Sequence, residues 1–303
     1  MSAPAVEAVS GPPEPPDGRR RPRRRASVDF AAAVGLVGMA FLLLAFGSAI
    51  VAIVVFSAED GFAGYLTAIE SPLFRRAVRN TVEMAVVVTV ACLVVSYPYA
   101  YCMVYSSRAV RIALIAALLI SFWTSLLVRT YSWQIILNDT GLLNQLLLSL
   151  GVVDEPLRLA RTKFAVYVGM VHILAPLSTL ALYANIRSLG PGLLLAARGM
   201  GASPARAFLH VTLPLTAPGA FAGATLVLIL ALGFYITPQI LGGTGDLYVG
   251  NAIVIQLEEL YRPEVASAMS VLLLVSVLVV LLAAGRFVGV GRILGIDRAR
   301  ERG

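Results

Sequence analysis

Lysine is almost absent from this chain of 303 residues. Of its 24 basic residues only Lys163 is a lysine, and Phe164 follows it. A phosphate-binding loop of the Gly-x-x-x-x-Gly-Lys-Ser/Thr kind needs a lysine followed by serine or threonine. The chain therefore lacks this loop, and any ATP hydrolysis linked to it must take place on another polypeptide.

Cysteine and histidine are also scarce, with two of each. Cys92 and Cys102 lie ten positions apart in one apolar run, which separates them by roughly 15 Å along a helix. A disulfide requires Cα atoms within about 7 Å, so this pair cannot form one. His172 and His210 have no cysteine or second histidine near them in the sequence, which argues against a metal site. We expect no catalytic residue, no metal and no cofactor in this chain.

Charged residues make up only 14% of the chain, whereas hydrophobic residues make up 58%. Together with a mean hydropathy of +0.84, this composition is typical of proteins that cross a membrane several times. The arginines lie mostly between apolar runs, where membrane topology explains them better than nucleic-acid binding does. The sequence therefore predicts an all-α membrane protein.

Six apolar stretches are long enough, or nearly so, to cross a bilayer as helices. About 20 apolar residues are needed, because only intrahelical hydrogen bonds satisfy the backbone in hydrocarbon. The predicted spans are residues 27–58, 83–105, 112–131, 164–186, 215–236 and 265–285. The first follows an arginine cluster and could also be a cleaved signal sequence or a twin-arginine export signal. Its apolar run exceeds a signal core of about 7 to 15 residues, which favours an uncleaved span.

The arginines and the lysine are distributed unequally between the segments that six spans leave on each side. One side, which includes both termini, holds sixteen of them and the other side holds eight. The positive-inside rule then predicts that both termini face the cytoplasm. The chain is divided into a disordered arginine-rich tail (1–26), a first span (27–58), a periplasmic interfacial segment (59–79), a core with five spans (80–288) and a cytoplasmic tail (289–303).

The segment 190–214, between the fourth and fifth spans, is neither polar nor long enough to cross a membrane. Gly201 can end a short helix, because glycine accepts the left-handed conformation that a helix stop requires. Ser203 followed by Pro204 is typical of an N-cap and the first position of a second helix. We predict a helix-turn-helix elbow at the inner membrane surface. These residues alone leave open whether another protein covers it or whether it packs on its own inner loops.

This elbow resembles the coupling motif of ABC importer permeases, which reads Glu-Ala-Ala, three residues, Gly, nine residues and Ile-x-Leu-Pro. The matching positions, with the spacing intact, are Ala196, Ala197, Gly201, Val211, Leu213 and Pro214. In that family the elbow inserts into a groove on an ATP-binding subunit. The resemblance implies that these six residues, with Ala202, Ser203 and Pro204, couple the chain to its ATPase. Leu195 stands where the motif has glutamate, which puts the strength of coupling or the identity of the ATPase in doubt.

Three more segments, 123–133, 141–144 and 237–243, resemble the spermidine/putrescine-type permeases, and the resemblance runs from about residue 79 to 285. It implies a type I ABC importer permease fold in a bacterial inner membrane. It also implies three partners: a second homologous permease, a dimer of ATP-binding subunits that binds the ATP, and a periplasmic or lipid-anchored substrate-binding protein. The expected cargo is a polyamine, or a related small solute such as an opine, thiamine or iron.

Two other functions stay open from the residues alone. A secondary transporter that does not use ATP would need paired intramembrane ionisable residues and inverted repeats, and neither is clear in this sequence. A membrane scaffold that transports nothing would tolerate changes in the elbow.

Six residues are candidates for a translocation pathway: Glu83, Trp123, Arg129, Tyr131, Trp133 and Tyr235. Glu83 would suit a cationic solute if it faced a central cavity, and a place at the membrane interface is its alternative. The aromatic residues could bind an amine by cation–π contacts, but aromatic belts at membrane interfaces are commoner. Arg129 is expected to reach the interface or to pair with a carboxylate such as Asp139. His172 is predicted to be a packed helix residue.

Overall fold

The computed structural model describes residues 24–59, 61–190 and 192–288. The predicted arginine-rich tail up to residue 23 and the tail from residue 289 onward lie outside the described residues. The chain separates into two compact units, Met1–Val51 and Ala52–Gly303. All regular structure in the described ranges is helical.

The described ranges contain thirteen α-helices, numbered in chain order. Their bounds are α1 Arg24–Ala58, α2 Ala63–Glu70, α3 Pro72–Tyr105, α4 Arg108–Trp123, α5 Leu126–Ile136, α6 Leu142–Ser149, α7 Lys163–Ser188, α8 Gly192–Gly199, α9 Pro204–Ala207, α10 Leu213–Leu232, α11 Ile236–Leu241, α12 Val249–Val254 and α13 Pro263–Val288. Two short π-helical turns, Phe208–Thr212 and Ile255–Glu259, follow α9 and α12.

Five continuous helices within the described ranges are long and apolar enough to cross a membrane. They are Val34–Ala58, Pro72–Tyr105, Lys163–Ser188, Pro204–Leu232 and Pro263–Arg286. The pair formed by α4 and α5 supplies a sixth span if its two helices count as one. The predicted all-α membrane fold is confirmed.

The third predicted span, 112–131, is wrong as a continuous helix. It breaks between Trp123 and Leu126, and the two halves are bent by 97°. The hydroxyl of Thr124 donates to the carbonyl of Ile120 at 2.8 Å, and the backbone at Thr124 and Ser125 is extended. Such side chain-to-backbone bonds offer the chain an alternative to helix at serine and threonine. Helix α5 therefore turns aside, and it packs against α7 and α11.

The second span begins earlier than predicted, at Pro72 rather than at residue 83. The hydroxyl of Ser71 accepts a bond from the amide of Phe74 at 3.4 Å, and Pro72 occupies the first helical position. This serine-proline pair is the same start signal that marks the elbow. The part of the predicted interfacial segment from Pro72 onward therefore belongs to α3. The part before it contains the separate short helix α2.

Helices α3, α7 and α10 form the centre of the bundle, and α10 approaches α7 through two glycines. A Cβ on Gly223 would lie 3.3 Å from the hydroxyl of Ser178, and one on Gly219 would lie 2.3 Å from the Cβ of Asn185. Glycines four residues apart let helix backbones approach closely in a membrane. The close contact of these two helices therefore depends on the absence of side chains at both positions.

Replacing Gly219 by alanine is expected to destabilise the bundle. The added methyl group overlaps Asn185 next to its backbone, so α10 must move away from α7, at a cost of about 1–3 kcal/mol. Gly199→Ala is the matched control, because nothing lies within 4 Å of a Cβ at that position. Thermal unfolding in detergent measures both variants. Equal unfolding midpoints would contradict the expected overlap.

Candidate functional site

The first arm of the elbow is α8, and it ends as the sequence predicts. The amide of Ala202 donates to the carbonyl of Ala197 at 3.1 Å, and the amide of Gly201 donates to that of Arg198 at 3.0 Å. Gly201 has a φ of +87°. These two bonds around a left-handed glycine form a Schellman motif. The predicted helix stop at Gly201 is confirmed.

The second arm begins at Pro204, with the hydroxyl of Ser203 accepting a bond from the amide of Arg206 at 3.3 Å. This arm is not a separate helix, because it runs through the π turn Phe208–Thr212 into α10. The helix Pro204–Leu232 is continuous over 29 residues. The fifth predicted span, 215–236, therefore starts eleven residues earlier, inside the elbow. Any displacement of the second arm is a displacement of this span.

The elbow is also joined to α3 through the ring of Phe208. This ring packs edge-on against Tyr97, with 5.6 Å between ring centroids, and against Tyr101, with 5.5 Å. The hydroxyls of Tyr97 and Thr216 lie 2.6 Å apart, which ties α3 to α10 about two turns beyond Phe208. Edge-on aromatic pairs contribute about 0.5–1.5 kcal/mol each beyond their buried area. Two membrane helices, α10 and α3, are thus in direct contact with the elbow.

Most of the elbow surface is exposed in the described part of the chain. Ala197 and Ala207 are buried, whereas Met200 is 84% exposed and Leu193 and Leu209 are about half exposed. The remaining motif residues are exposed or half-buried: Ala196, Gly201, Ala202, Ser203, Pro204, Val211, Leu213 and Pro214. The side chain of Leu195, which replaces the motif glutamate, lies outside the described residues. An exposed apolar surface of this kind suits docking to another protein.

A groove of about 720 Å³ lies between α3, α4, α5 and α7. Its walls are mostly apolar, and aromatic rings face it from three of the four helices. The aromatic lining residues are Tyr99, Trp133, Phe164 and Tyr167. The groove is thus a mostly apolar cleft with aromatic walls.

His172 links three of the helices around this groove. Its Nδ1 accepts a bond from the indole Nε1 of Trp133 at 2.9 Å, and its Nε2 lies 3.2 Å from the hydroxyl of Ser121. Since Nδ1 is an acceptor, the neutral ring carries its proton on Nε2 and donates it to Ser121. The network holds both halves of the bent pair against α7. His172 is therefore more than the packed helix residue that the sequence predicted.

Replacing Trp133 by phenylalanine is expected to lower the free energy of unfolding by about 1–3 kcal/mol, because it leaves Nδ1 of His172 without a hydrogen-bond partner. Trp123→Phe is the matched control, since Trp123 is 84% exposed at the end of α4. The midpoints of thermal unfolding in detergent compare the two variants. If Trp123→Phe lowered the unfolding midpoint as much as Trp133→Phe, the result would argue against a role of the His172 network.

An ion pair between α3 and α7 lies at one end of the groove. The Nζ of Lys163 lies 2.7 Å from Oε2 of Glu83, and the hydroxyl of Tyr167 donates to Oε1 at 2.9 Å. Glu83, Val87 and Ala91 are four residues apart on α3, and the last two line the groove. Residues four apart share one face of a helix. Glu83 therefore lies at the mouth of the groove, on the face that forms its wall.

The other candidate pathway residues are dispersed. Trp123 and Tyr131 are exposed. Tyr235 precedes α11, and its Cβ lies 3.0 Å from the position that a Cβ on Gly250 would take. Arg129 is half-buried, and its Nε and Nη1 have no hydrogen-bond partner among the described residues. Of its two expected placements, the ion pair with a carboxylate such as Asp139 is absent, since the described residues form a single ion pair, Lys163 with Glu83, and a place at the membrane interface stays a prediction. Of the six, Trp133 lines the groove and Glu83 lies at its mouth, and the pathway role of all six stays a prediction.

The chain matches the family described as the binding-protein-dependent transport system inner membrane component over residues 62–289. It is 40% identical over 190 residues to the spermidine/putrescine transport system permease protein PotB of Escherichia coli K12, which covers 63% of this chain and 69% of that protein. The PotB of Haemophilus influenzae is 38% identical over 60% of this chain and 64% of its own length. The inner membrane ABC transporter permease protein YdcU of E. coli K12 is 30% identical over 63% of this chain and 64% of its own length.

Two solved structures have a similar fold. One is a bacterial alginate ABC transporter in complex with an alginate pentasaccharide-bound periplasmic protein, with a TM-score of 0.73 and 17% identity over 86% of this chain and 94% of that one. The other is the MetNI methionine ABC transporter in an inward-facing conformation, with a TM-score of 0.55 and 21% identity over 71% and 94%. At these identities the likeness concerns the fold alone.

Proposed function

Since the chain belongs to the family of binding-protein-dependent transport system inner membrane components, we propose that it is the polyamine-importing permease of a bacterial inner membrane. Membership makes it a multi-pass membrane subunit of an ABC importer and not an enzyme. Its 40% identity to a spermidine/putrescine permease supports the choice of polyamines as cargo. The carboxylate at the mouth of an aromatic groove supports a cationic cargo as well. An opine, thiamine or iron is the alternative cargo.

The proposed assembly has three partners. A second permease of similar fold pairs with this chain, two ATP-binding subunits bind and hydrolyse the ATP, and a periplasmic or lipid-anchored protein delivers the solute. Both termini and the elbow face the cytoplasm in this proposal, where the exposed elbow docks on one ATP-binding subunit. This chain itself holds no cofactor.

The observation that carries the proposal is the elbow, which has the motif spacing, an exposed apolar surface and a continuous connection to a membrane helix. When the ATP-binding subunits close, they move α8 and the second arm together. The helix Pro204–Leu232 then moves with the elbow, and Phe208 pushes on Tyr97 and Tyr101 of α3. The cavity between the two permeases opens to the periplasm, and hydrolysis returns it to the inward-facing state.

Uptake into vesicles tests this proposal. The chain is reconstituted with its partner permease, its ATP-binding subunit and its binding protein, and the import of radiolabelled spermidine is measured. We expect uptake to require both ATP and the binding protein and to persist when proton and sodium gradients are collapsed. Uptake that follows an ion gradient without ATP would make the chain a secondary transporter. ATP-dependent uptake of another solute, but not of spermidine, would overturn the cargo alone.

A further inference from the structure

We propose that Glu83 is an exchangeable binding site for a primary alkylammonium group, and that the side chain of Lys163 occupies this site when no ligand is bound. The inference rests on the proposed function, because a polyamine carries such groups at its ends. It goes further by naming the acceptor residue and the internal group that the ligand displaces.

The atoms that now fill the site already have the chemistry of the ligand. Lysine is a compact ammonium on a flexible stem of four carbons, with three N–H donors. Its Nζ lies 2.7 Å from one carboxylate oxygen of Glu83, and the hydroxyl of Tyr167 lies 2.9 Å from the other. Both oxygens of Glu83 are thus engaged, one by an ammonium and one by a fixed hydroxyl. A free alkylammonium fits the same position if Lys163 swings away.

The exchange is feasible because the ion pair is weak. The side chains of Lys163 and Glu83 are 33% and 42% exposed. Ion pairs in contact with water favour the paired arrangement only about 1.4- to 5-fold. A soluble cation at a sufficient concentration can therefore compete with Lys163, which would not hold for a fully buried pair.

The groove lies next to Glu83, so a cation released from Glu83 can enter it. Tyr167 donates to Glu83 and also lines the groove, and Phe164 lies beside Lys163 on the same wall. A cation that leaves Glu83 inward meets aromatic faces, which attract ammonium groups in an apolar setting. The stem of a diamine can lie along the apolar wall below them. Glu83 therefore lies next to a groove whose walls are mostly apolar and aromatic.

Tyr248 supplies a second hydroxyl near the mouth of the groove. It is 1% exposed, and its hydroxyl has no hydrogen-bond partner among the described residues. Burial, first of all, and the nearby carboxylates of Asp246 and Glu83 raise the pKa of its phenol, so it stays protonated and able to donate.

The single lysine makes the exchange directly observable. Growth with lysine labelled by ¹³C at Cε gives the full chain in nanodiscs one lysine Cε signal, because Lys163 is the only lysine. The probe is 1,4-diaminobutane. We expect it to shift this signal saturably toward the position found in Glu83→Gln, and to leave the signal of Glu83→Gln itself unchanged. Sodium chloride at equal ionic strength and 1,4-butanediol are the controls, and neither should cause a saturable shift.

A second variant keeps the test independent of any folding defect in Glu83→Gln. Lys163→Met removes the competitor and leaves Glu83 in place, so binding of radiolabelled 1,4-diaminobutane should tighten about 1.4- to 5-fold. Lys163→Arg keeps a competing cation and should bind as weakly as the wild type. No shift in the wild type, the same shift in Glu83→Gln, or no gain in Lys163→Met would overturn the proposal.

The binding test uses neither ATP nor partner subunits, so its outcome is separate from that of the uptake test. Spermidine uptake without exchange at Lys163 would refute this inference and leave the proposed function intact. Exchange without ATP-dependent uptake would refute the proposed function and leave the ammonium site intact.

Discussion

Replacing Gly201 by valine is expected to reduce ATP-dependent uptake to background while the chain still inserts into the membrane. Gly201 has a φ of +87°, a conformation that costs an L-residue about 1–2 kcal/mol and is least accessible to β-branched residues. The Schellman turn must then open, which changes the angle between α8 and the helix that begins at Pro204. The docking surface depends on this angle, because it is formed by both arms. Initial uptake rates at equal amounts of inserted chain measure the effect.

Gly199→Val is the matched control in the same elbow. Nothing lies within 4 Å of a Cβ at Gly199, and its φ is not in the left-handed region. This variant should keep most of the uptake. Full uptake in Gly201→Val, or an equal loss in Gly199→Val, would mean that the left-handed turn is not what coupling requires.

Replacing Phe208 by alanine is expected to separate ATP hydrolysis from transport. The variant loses both edge-on contacts with Tyr97 and Tyr101, worth about 1–3 kcal/mol together. A coupling free energy of that size corresponds to roughly a 5- to 150-fold effect. The elbow surface that docks is unchanged, because Phe208 faces α3. The number of solute molecules imported per ATP hydrolysed should therefore fall at least several-fold, while ATP hydrolysis continues.

Phe208→Tyr is the control for this experiment, since it keeps the aromatic ring and should retain most of the transport per ATP. Parallel assays of hydrolysis and uptake on the same vesicles give the ratio. If Phe208→Ala imported as much solute per ATP as the wild type, the contact with α3 would carry no part of the signal, and α10 alone would transmit it.

Local signals in the sequence were sufficient to predict the helix stop and the helix start of the elbow. Gly201, at the end of a run of small residues, and the pair Ser203 and Pro204, which begins two positions later, each act within one turn of helix. The same serine-proline signal at Ser71 and Pro72 marks the true start of α3, but the apolar pattern alone placed that start at residue 83. The start was therefore readable from the sequence, whereas hydropathy by itself was not sufficient to find it.

The bend between α4 and α5 and the groove beside it were not predictable in the same way. No proline or glycine interrupts residues 112–131, so hydropathy gives one continuous span. The bend depends on a threonine that bonds to its own helix and on Trp133, which meets His172 from 39 positions away. Lys163 and Glu83 are 80 positions apart. Contacts of this separation exist only once the helices have packed together.

The continuous helix Pro204–Leu232 acts as a lever arm. Its 29 residues span about 43 Å at the rise of an α-helix, so a tilt of about 5° at the elbow moves the opposite end sideways by about 4 Å. In the proposed assembly, a small closing motion of the ATP-binding subunits is thus amplified along this one helix. The π turn Phe208–Thr212 interrupts its regular bonding near the elbow, and Pro218 lies inside it further along, so the helix can yield at both places. Stiffness at these two places sets how much of the applied motion reaches the far side of the membrane.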